Sequence, residues 1–258
     1  MKQVTDFTIV AREQLGNQYF MLTLRHPSAM LNVVPGQFVE VLVEGCREVM
    51  LRRPISVHDA DERTAELKLL IQIVGNGTRR LAQLGVGDKL NLVYPLGNGF
   101  GLDVEAGAKV LLVGGGAGSA PLYHLARVLA SRGLEPTILL GGRSADLIPV
   151  KEPFAQFGRL LIATDDGSLG HRGLVTEHPA FAEPYDRIYT CGPTPMMRAV
   201  AQSAAQRGID CQVSLENMMA CGVGACLCCV AGTDEGNLRV CKEGPVFNAK
   251  ILKKLWNL

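Results

Sequence analysis

Short alternating runs dominate the first hundred residues. VTDFTIVAREQL (4–15), YFMLTLRH (19–26), QFVEVLVE (37–44), ISVHDAD (55–61), ELKLLIQIV (66–74) and KLNLVYPLG (89–97) carry β-branched or alternating apolar positions. That period of two is the signature of strands with one buried face. Pro35-Gly36, Gly75-Asn76-Gly77 and Gly85-Val86-Gly87-Asp88 punctuate the runs as turns. Six short strands at this spacing predict a small antiparallel barrel, interrupted by one short helix over residues 78–84.

Beyond residue 108 the period changes. KVLLVGGGAGSAPLYHLARVLASRG (109–133) is an apolar run, a glycine cluster and an amphipathic helix. PTILLGGRS (136–144), RLLIATDDG (159–167), RIYTCGPTPMMRAVAQSAAQRG (187–208) and CQVSLE (211–216) follow. Strands alternating with helices predict a parallel, doubly wound sheet, with one helix starting near Thr194. The expected fold class is therefore α+β multidomain. An antiparallel β-barrel spans residues 1–102, a doubly wound α/β domain 103–213, and a small cysteine-bearing segment 214–258.

That last segment holds five of the chain's eight cysteines. Cys221, Cys226 and Cys229 stand in C-x4-C-x2-C spacing and Cys241 follows, the plant-ferredoxin pattern for a [2Fe–2S] cluster. Two irons and two bridging sulfides leave four outward positions, each taking a thiolate. Gly222 and Gly224, with Ala225, let the loop turn tightly so that its N–H groups face sulfur. A zinc site would also accept four thiolates, but such sites usually show two CxxC knuckles and this stretch has one. Buried free cysteines are the other alternative. Cys228 is the spare, and beside Cys229 its side chain should point elsewhere.

Composition narrows the picture. The chain has 258 residues, 47% of them hydrophobic, and a formal net charge of +1. There is enough apolar material for two domains, and no electrostatic case for nucleic acid or an acidic membrane surface. No apolar run approaches the ~18 residues of a membrane span, and the N-terminus lacks the apolar stretch of a signal peptide. A reducing, cytoplasmic setting is expected. The histidines form no metal-binding motif, and Asp165-Asp166-Gly167 reads as a loop after a strand.

Two places in the barrel look chemical. Arg52-Arg53-Pro54-Ile55-Ser56 opens a strand with two cations and a hydroxyl, able to pair a diphosphate and hydrogen-bond a flavin edge. Gly75-Asn76-Gly77-Thr78 leads into the short helix, where free N–H groups suit an anion. Taken singly they read as solvated charge and an N-capped turn. Together they read as two halves of a flavin-dinucleotide site. In the middle domain Gly114, Gly115, Gly116 and Gly118 depart from G-x-G-x-x-G but still let backbone approach a diphosphate at a helix start. The acidic residue that usually holds a ribose 2′-OH is not visible after the second strand; Arg143 stands there, so a 2′-phosphate stays open.

RPIS followed by LIQIVGNGT, and TCGPTPMM, resemble the ferredoxin-reductase superfamily. With the cysteine motif and GPVF, the chain resembles the electron-transfer subunits of class 1B dihydroorotate dehydrogenases from RRPIS to CKEGPVF. The resemblance implies FAD held by Arg53, Pro54, Ile55 and Ser56, with Leu70, Ile71 and Gln72 alongside and Gly77 and Thr78 at its diphosphate. It also implies a nicotinamide facing Cys191, Gly192 and Pro193, with NADH as the carrier. The superfamily's stacking Tyr is replaced here by Pro54-Ile55, and a frequent Lys by Asn76. The implied role joins [2Fe–2S] and FAD in one relay. A nicotinamide exchanges two electrons, a cluster one, and a flavin mediates between them.

The implied partner is a separate FMN subunit converting dihydroorotate to orotate in pyrimidine biosynthesis, in a heterotetramer of two of each. No stretch is available here for a (β/α)8 substrate barrel, which needs about 200 residues or more, and no base for dihydroorotate oxidation is apparent. Alternatives are the flavin/iron–sulfur subunit of a ferredoxin–NADP reductase or a sulfide dehydrogenase, and, from another class, a zinc-bearing interaction module. Met218, Met219, Val246 and Phe247 flank the cysteines. They are expected either at a protein interface or buried against the flavin domain.

Overall fold

A computed structural model of the chain describes residues 2–29, 32–256 and 258. The alternating runs become β1 (Gln3–Leu15), β2 (Tyr19–Arg25), β3 (Phe38–Val41), β4 (Arg53–Asp61) and β5 (Glu66–Gln72), then helix α1 (Asn76–Leu81) and β6 (Lys89–Leu96). They close into an antiparallel barrel in the order β1-β2-β5-β4-β3-β6. The inward positions of the alternation, Phe7, Ile9, Leu22, Leu24, Leu67, Leu69 and Leu92, lose all exposure and fill its centre. Helix α1 starts and ends earlier than its sequence pattern predicts. The Thr78 hydroxyl accepts from Val74 N at 2.9 Å and Gly75 N at 3.1 Å, which fixes the turn into the helix.

The second sheet contains β7 (Val110–Gly115), β8 (Thr137–Gly142), β9 (Arg159–Thr164), β10 (His171–Arg172), β11 (Arg187–Cys191) and β12 (Asp210–Ser214). Helix α2 (Ala120–Ser131) follows β7, and α3 (Thr194–Gln206) follows β11. The β8–β9 and β10–β11 crossovers carry only single turns of 3-10 helix, so strict strand–helix alternation holds at two crossovers alone. Strands β7 to β12 pair in parallel, in the order β10-β9-β8-β7-β11-β12.

The cysteine segment adds the hairpin β13 (Val230–Thr233) and β14 (Gly236–Arg239), then β15 (Val246–Asn248) and a final turn α4 (Lys253–Trp256). Strand β15 adds to the larger sheet, antiparallel to β12, with Val213 opposite Phe247 and Ser214 opposite Val246. Of the two expectations for Val246 and Phe247, burial is the one that holds. Both are side chains of a sheet strand, 9% and 5% exposed, buried chiefly in the α/β core rather than free for an interface. Barrel residues Phe38 and Leu96 share the core that holds Phe247. Asn98 N donates to Gly244 O at 2.6 Å, and Leu215 N to Pro245 O at 2.9 Å. The cysteine segment is thus tied to both larger units. Among the described residues, no helix is long and apolar enough to cross a membrane.

Candidate functional site

Two cavities lie along the seam between barrel and sheet. The smaller, about 300 Å³, is lined by Arg53, Pro54, Ile55 and Ser56 of β4 and by Leu70 and Gln72 of β5. Thr78 and the stretch Ser214–Asn217 also line it. Seven of the nine residues assigned to a flavin from sequence meet here. Ile71 does not line this cavity. Alternation along β5 turns its side chain into the barrel core, where it is 1% exposed. Gly77 contributes by being small: a Cβ there would sit 3.0 Å from Arg53 Nε. Thr78 spends its hydroxyl on the turn, so its part is structural first.

The two adjacent arginines separate. Arg52 is consumed by the barrel: its guanidinium donates to Glu40 O and Asn91 O, both at 3.2 Å, and to Asn91 Oδ1 at 2.5 Å. Arg53 lines the cavity, and its guanidinium forms no hydrogen bond or ion pair among the described residues. A free guanidinium at a cavity wall fits a diphosphate. Arg53→Ala should weaken FAD by about 1.5–3 kcal/mol, the range for a hydrogen bond to a charged group. Flavin fluorescence released on serial dilution measures it, and wild-type retention in the variant would remove Arg53 from the site.

The larger cavity, about 590 Å³, is bounded by Gly115, Gly116 and Gly118, by Gly192 and Pro193, and by the strand ends at Gly142, Arg143 and Asp165. The glycines are demanded by a close approach. A Cβ on Gly118 would lie 2.5 Å from the Cys191 carbonyl carbon, and one on Gly115 2.7 Å from Met196 Sδ. The turn after β7 and the turn after β11 therefore touch backbone to backbone. Gly114 and Cys191, both assigned to a nicotinamide site from sequence, sit one layer behind. Gly114 faces Leu140 and Leu122. Cys191 is fully buried, and burial raises its thiol pKa. Neither lines the cavity.

Three residues that sequence reasoning left out stand at important places. Tyr19 reaches across from the barrel and lines the larger cavity. Asp165 brings a carboxylate to the same rim as Arg143 from the end of β9, one strand further on than the usual position. Glu216, an exposed residue, opens onto both cavities, and partial desolvation beside their walls raises its carboxyl pKa. Gln72, Ala117 and Glu216 line both cavities, which marks where they meet.

The cysteines gather as two pairs. Cys221 Sγ accepts from the N–H groups of Ala225 at 3.3 Å and of Val223 and Cys226 at 3.5 Å, and the Cys226 side chain adjoins it. Burial pushes the Cys221 thiol up, but these donors outweigh it and bring it down to about 6. Cys229 Sγ accepts from Cys241 N at 3.4 Å, and burial beside Cys229 pushes the Cys241 thiol up to about 12. Gly222 and Gly224 hold left-handed φ of 64° and 86°, which the loop needs in order to turn its amides inward. Leu227 is also left-handed, at 60°, and Cys228 beyond it faces solvent. Among the described residues no three potential ligands converge on a single point. A lone zinc needs four ligands converging, whereas a two-iron cluster takes two thiolates on each iron. The two cysteine pairs fit such a cluster. Met218 is 80% exposed beside it, while Met219 is buried and lines the smaller cavity.

Comparison with known proteins agrees with this layout. One family model, the iron-sulfur cluster binding domain of dihydroorotate dehydrogenase B, matches residues 216–253. Another, the oxidoreductase FAD-binding domain, matches residues 6–100. The electron transfer subunit of dihydroorotate dehydrogenase B (NAD(+)) from Bacillus caldolyticus is 40% identical over 247 residues, covering 94% of this chain and 95% of that one. The same-named subunit of Fusobacterium nucleatum is 35% identical over 255 residues, covering 96% and 97%. Among solved structures, one reported for the NADH-dependent reduced ferredoxin-NADP oxidoreductase, in a study of flavin-based electron bifurcation, superposes with a TM-score of 0.85. It is 32% identical, and the match covers 98% of this chain and 93% of that one. The ferredoxin reductase of carbazole 1,9a-dioxygenase, 23% identical with a TM-score of 0.70 over 81% of this chain and 67% of that one, shares the fold.

Proposed function

We propose, for a chain that belongs to the family of dihydroorotate dehydrogenase B (NAD(+)) electron transfer subunits, that it relays electrons between NAD(H) and a separate FMN-bearing subunit that oxidises dihydroorotate to orotate. One observation carries this reading. The smaller cavity is walled on one side by Ala117 and Ala120 beside the glycine turn, and on another by Ser214–Asn217 and Met219, which lead into the cysteine loop. A flavin there lies between the nicotinamide cavity and the cysteines, as a relay from a two-electron to a one-electron carrier requires.

Placement supports the following assignments. FAD occupies the smaller cavity, with Arg53 on its diphosphate and Pro54, Ile55, Ser56, Leu70 and Gln72 along it. NADH occupies the larger, its diphosphate over the turn of Gly115, Gly116 and Gly118, with Gly192 and Pro193 at the nicotinamide end. Cys221 and Cys226 offer one pair of thiolates to a [2Fe–2S] cluster, and Cys229 and Cys241 the other. The cofactor units divide as 1–102, 103–213 and 214–258, with β15 shared into the middle sheet. When bound, these groups supply hydride exchange and single-electron transfer. The chain supplies position, exclusion of water and charge. The assembly is a cytoplasmic heterotetramer, two chains of each kind.

The chain by itself should reduce artificial acceptors with NADH but leave dihydroorotate untouched, because no substrate site of its own is part of the reading. Adding the FMN subunit should create NAD-linked orotate formation, followed by orotate absorbance. Orotate made by the chain alone would refute the subunit assignment. Brisk coupling to ferredoxin but none to the FMN subunit would transfer the assignment to the ferredoxin–NADP oxidoreductase class, which the 0.85 TM-score keeps in view.

A further inference from the structure

The strand that carries the flavin-side residues and the helix that starts at the dinucleotide turn are bolted to each other a short distance behind the two sites. Beyond Arg53–Ser56, strand β4 presents His58, Asp59 and Ala60. Beyond the turn at Gly115–Ser119, helix α2 presents Tyr123 and Arg127. The His58 and Tyr123 rings stack at 4.3 Å between centroids and 20° between planes. Arg127 Nε donates to Asp59 Oδ1 at 2.8 Å, and its Nη2 to the Ala60 carbonyl at 2.7 Å. On its other edges Tyr123 meets Phe154 at 5.2 Å and Phe157 at 5.1 Å, both T-shaped. The tyrosine is therefore fixed in the α/β domain before it meets the barrel. His58 is 2% exposed, and its burial holds it neutral, with a pKa lowered to about 4.

The geometry points to His58, Asp59, Tyr123 and Arg127 as a positioning clamp that sets the nicotinamide cavity against the flavin cavity. This rests on the function proposed above. The leverage is simple. Asp59 lies about 10 Å along the strand from Ser56, and Arg127 about 10 Å along the helix from Ala120, from the rise per residue. A tilt of about 6° at the clamp moves the far end of such an arm by about 1 Å, and a misplacement of that size costs about 100-fold in rate. The clamp touches neither cofactor cavity, so its effect falls on alignment and not on binding.

The test uses the FAD- and cluster-loaded chain, with Arg127→Ala, the conservative Arg127→Lys and the isosteric Asp59→Asn. Stopped-flow reduction of the flavin by NADH gives the hydride-transfer rate constant. Long-wavelength charge-transfer absorbance reports the stacking of nicotinamide on flavin. In Arg127→Ala the rate constant should fall at least 10-fold and the charge-transfer band should weaken. FAD content, cluster content and NADH Kd should stay within twofold of wild type. Arg127→Lys should recover part of the rate, and Asp59→Asn should behave like Arg127→Ala in a milder form. Rate constants within twofold of wild type in both Arg127→Ala and Asp59→Asn would overturn the clamp, as would a slower rate fully explained by lost FAD or weakened NADH binding. If Arg127→Ala does not fold, Asp59→Asn decides alone on the same criteria. A wild-type flavin that NADH cannot reduce would instead overturn the functional reading, and the clamp with it.

Discussion

Serine at position 229 should bleach the protein, and serine at position 228 should leave it brown. The two cysteines are neighbours in sequence and opposites in placement. Cys229 is 2% exposed, and its sulfur accepts the Cys241 amide. Cys228 faces solvent after the left-handed Leu227. A serine hydroxyl is a poor ligand for iron, which in such clusters is held by thiolates. At position 229 the hydroxyl would also be buried where the pair with Cys241 is lost, and an unsatisfied buried polar group costs about 1–3 kcal/mol. Serine at 221, 226 or 241 should likewise abolish the cluster, with loss of both irons and both labile sulfides. Iron, acid-labile sulfide and the visible spectrum decide it. Electron delivery to any one-electron partner should fall with the cluster, while NADH still reduces the flavin. Bleaching in Cys228→Ser as complete as in Cys229→Ser would show that the ligand register is wrong. Stoichiometric zinc without iron would remove the cluster.

How far the sequence spoke depended on what kind of signal each residue carries. The barrel strands were legible because one-sided burial writes a period of two, and Phe7, Ile9, Leu22 and Leu24 follow it inward. The same period sets Ile71 apart from its neighbours. A motif names a contiguous stretch, but a strand offers a cavity only every second side chain, so Leu70 and Gln72 line it while Ile71 fills the barrel. Gly114 and Cys191 are likewise motif members that pack beneath the cavity floor. Strand β15 was illegible because three residues after a turn carry no periodicity. Only the open edge of β12 makes them a strand. Tyr19, Asp165 and Glu216 reach the cavities from three separate elements, and no local pattern joins residues that only the closed fold brings together.

The second large effect is expected at Glu40, where a neutral substitution should stabilise the protein at alkaline pH and not at acid pH. Glu40 sits on β3 with no exposure, and neither carboxylate oxygen has a hydrogen-bond partner among the described residues. It lies under the cysteine loop: a Cβ on Gly222 would come within 2.6 Å of Glu40 Cγ. Burial raises its pKa from 4.5 to about 7, with Arg52 and Arg53 pulling it back and the Cys221 thiolate adding to the rise. A thiolate-held cluster, negative overall, acts in the same direction as that thiolate. The sign follows from proton counting. Between pH 4.5 and 7 the folded state holds a proton that the unfolded state has released, so stability falls as pH rises through that window and is level above it. The shift corresponds to about 3 kcal/mol once both states are ionised. Glu40→Gln keeps the shape and removes the charge. Its amide still leaves polar atoms unpaired, which returns part of the gain. The net expectation is about 1–2 kcal/mol of added stability at pH 8 and none at pH 5. Thermal unfolding of the loaded protein and the variant at the two pH values measures it. An equal shift in Tm at both would assign the pH dependence to another group and leave Glu40 neutral throughout.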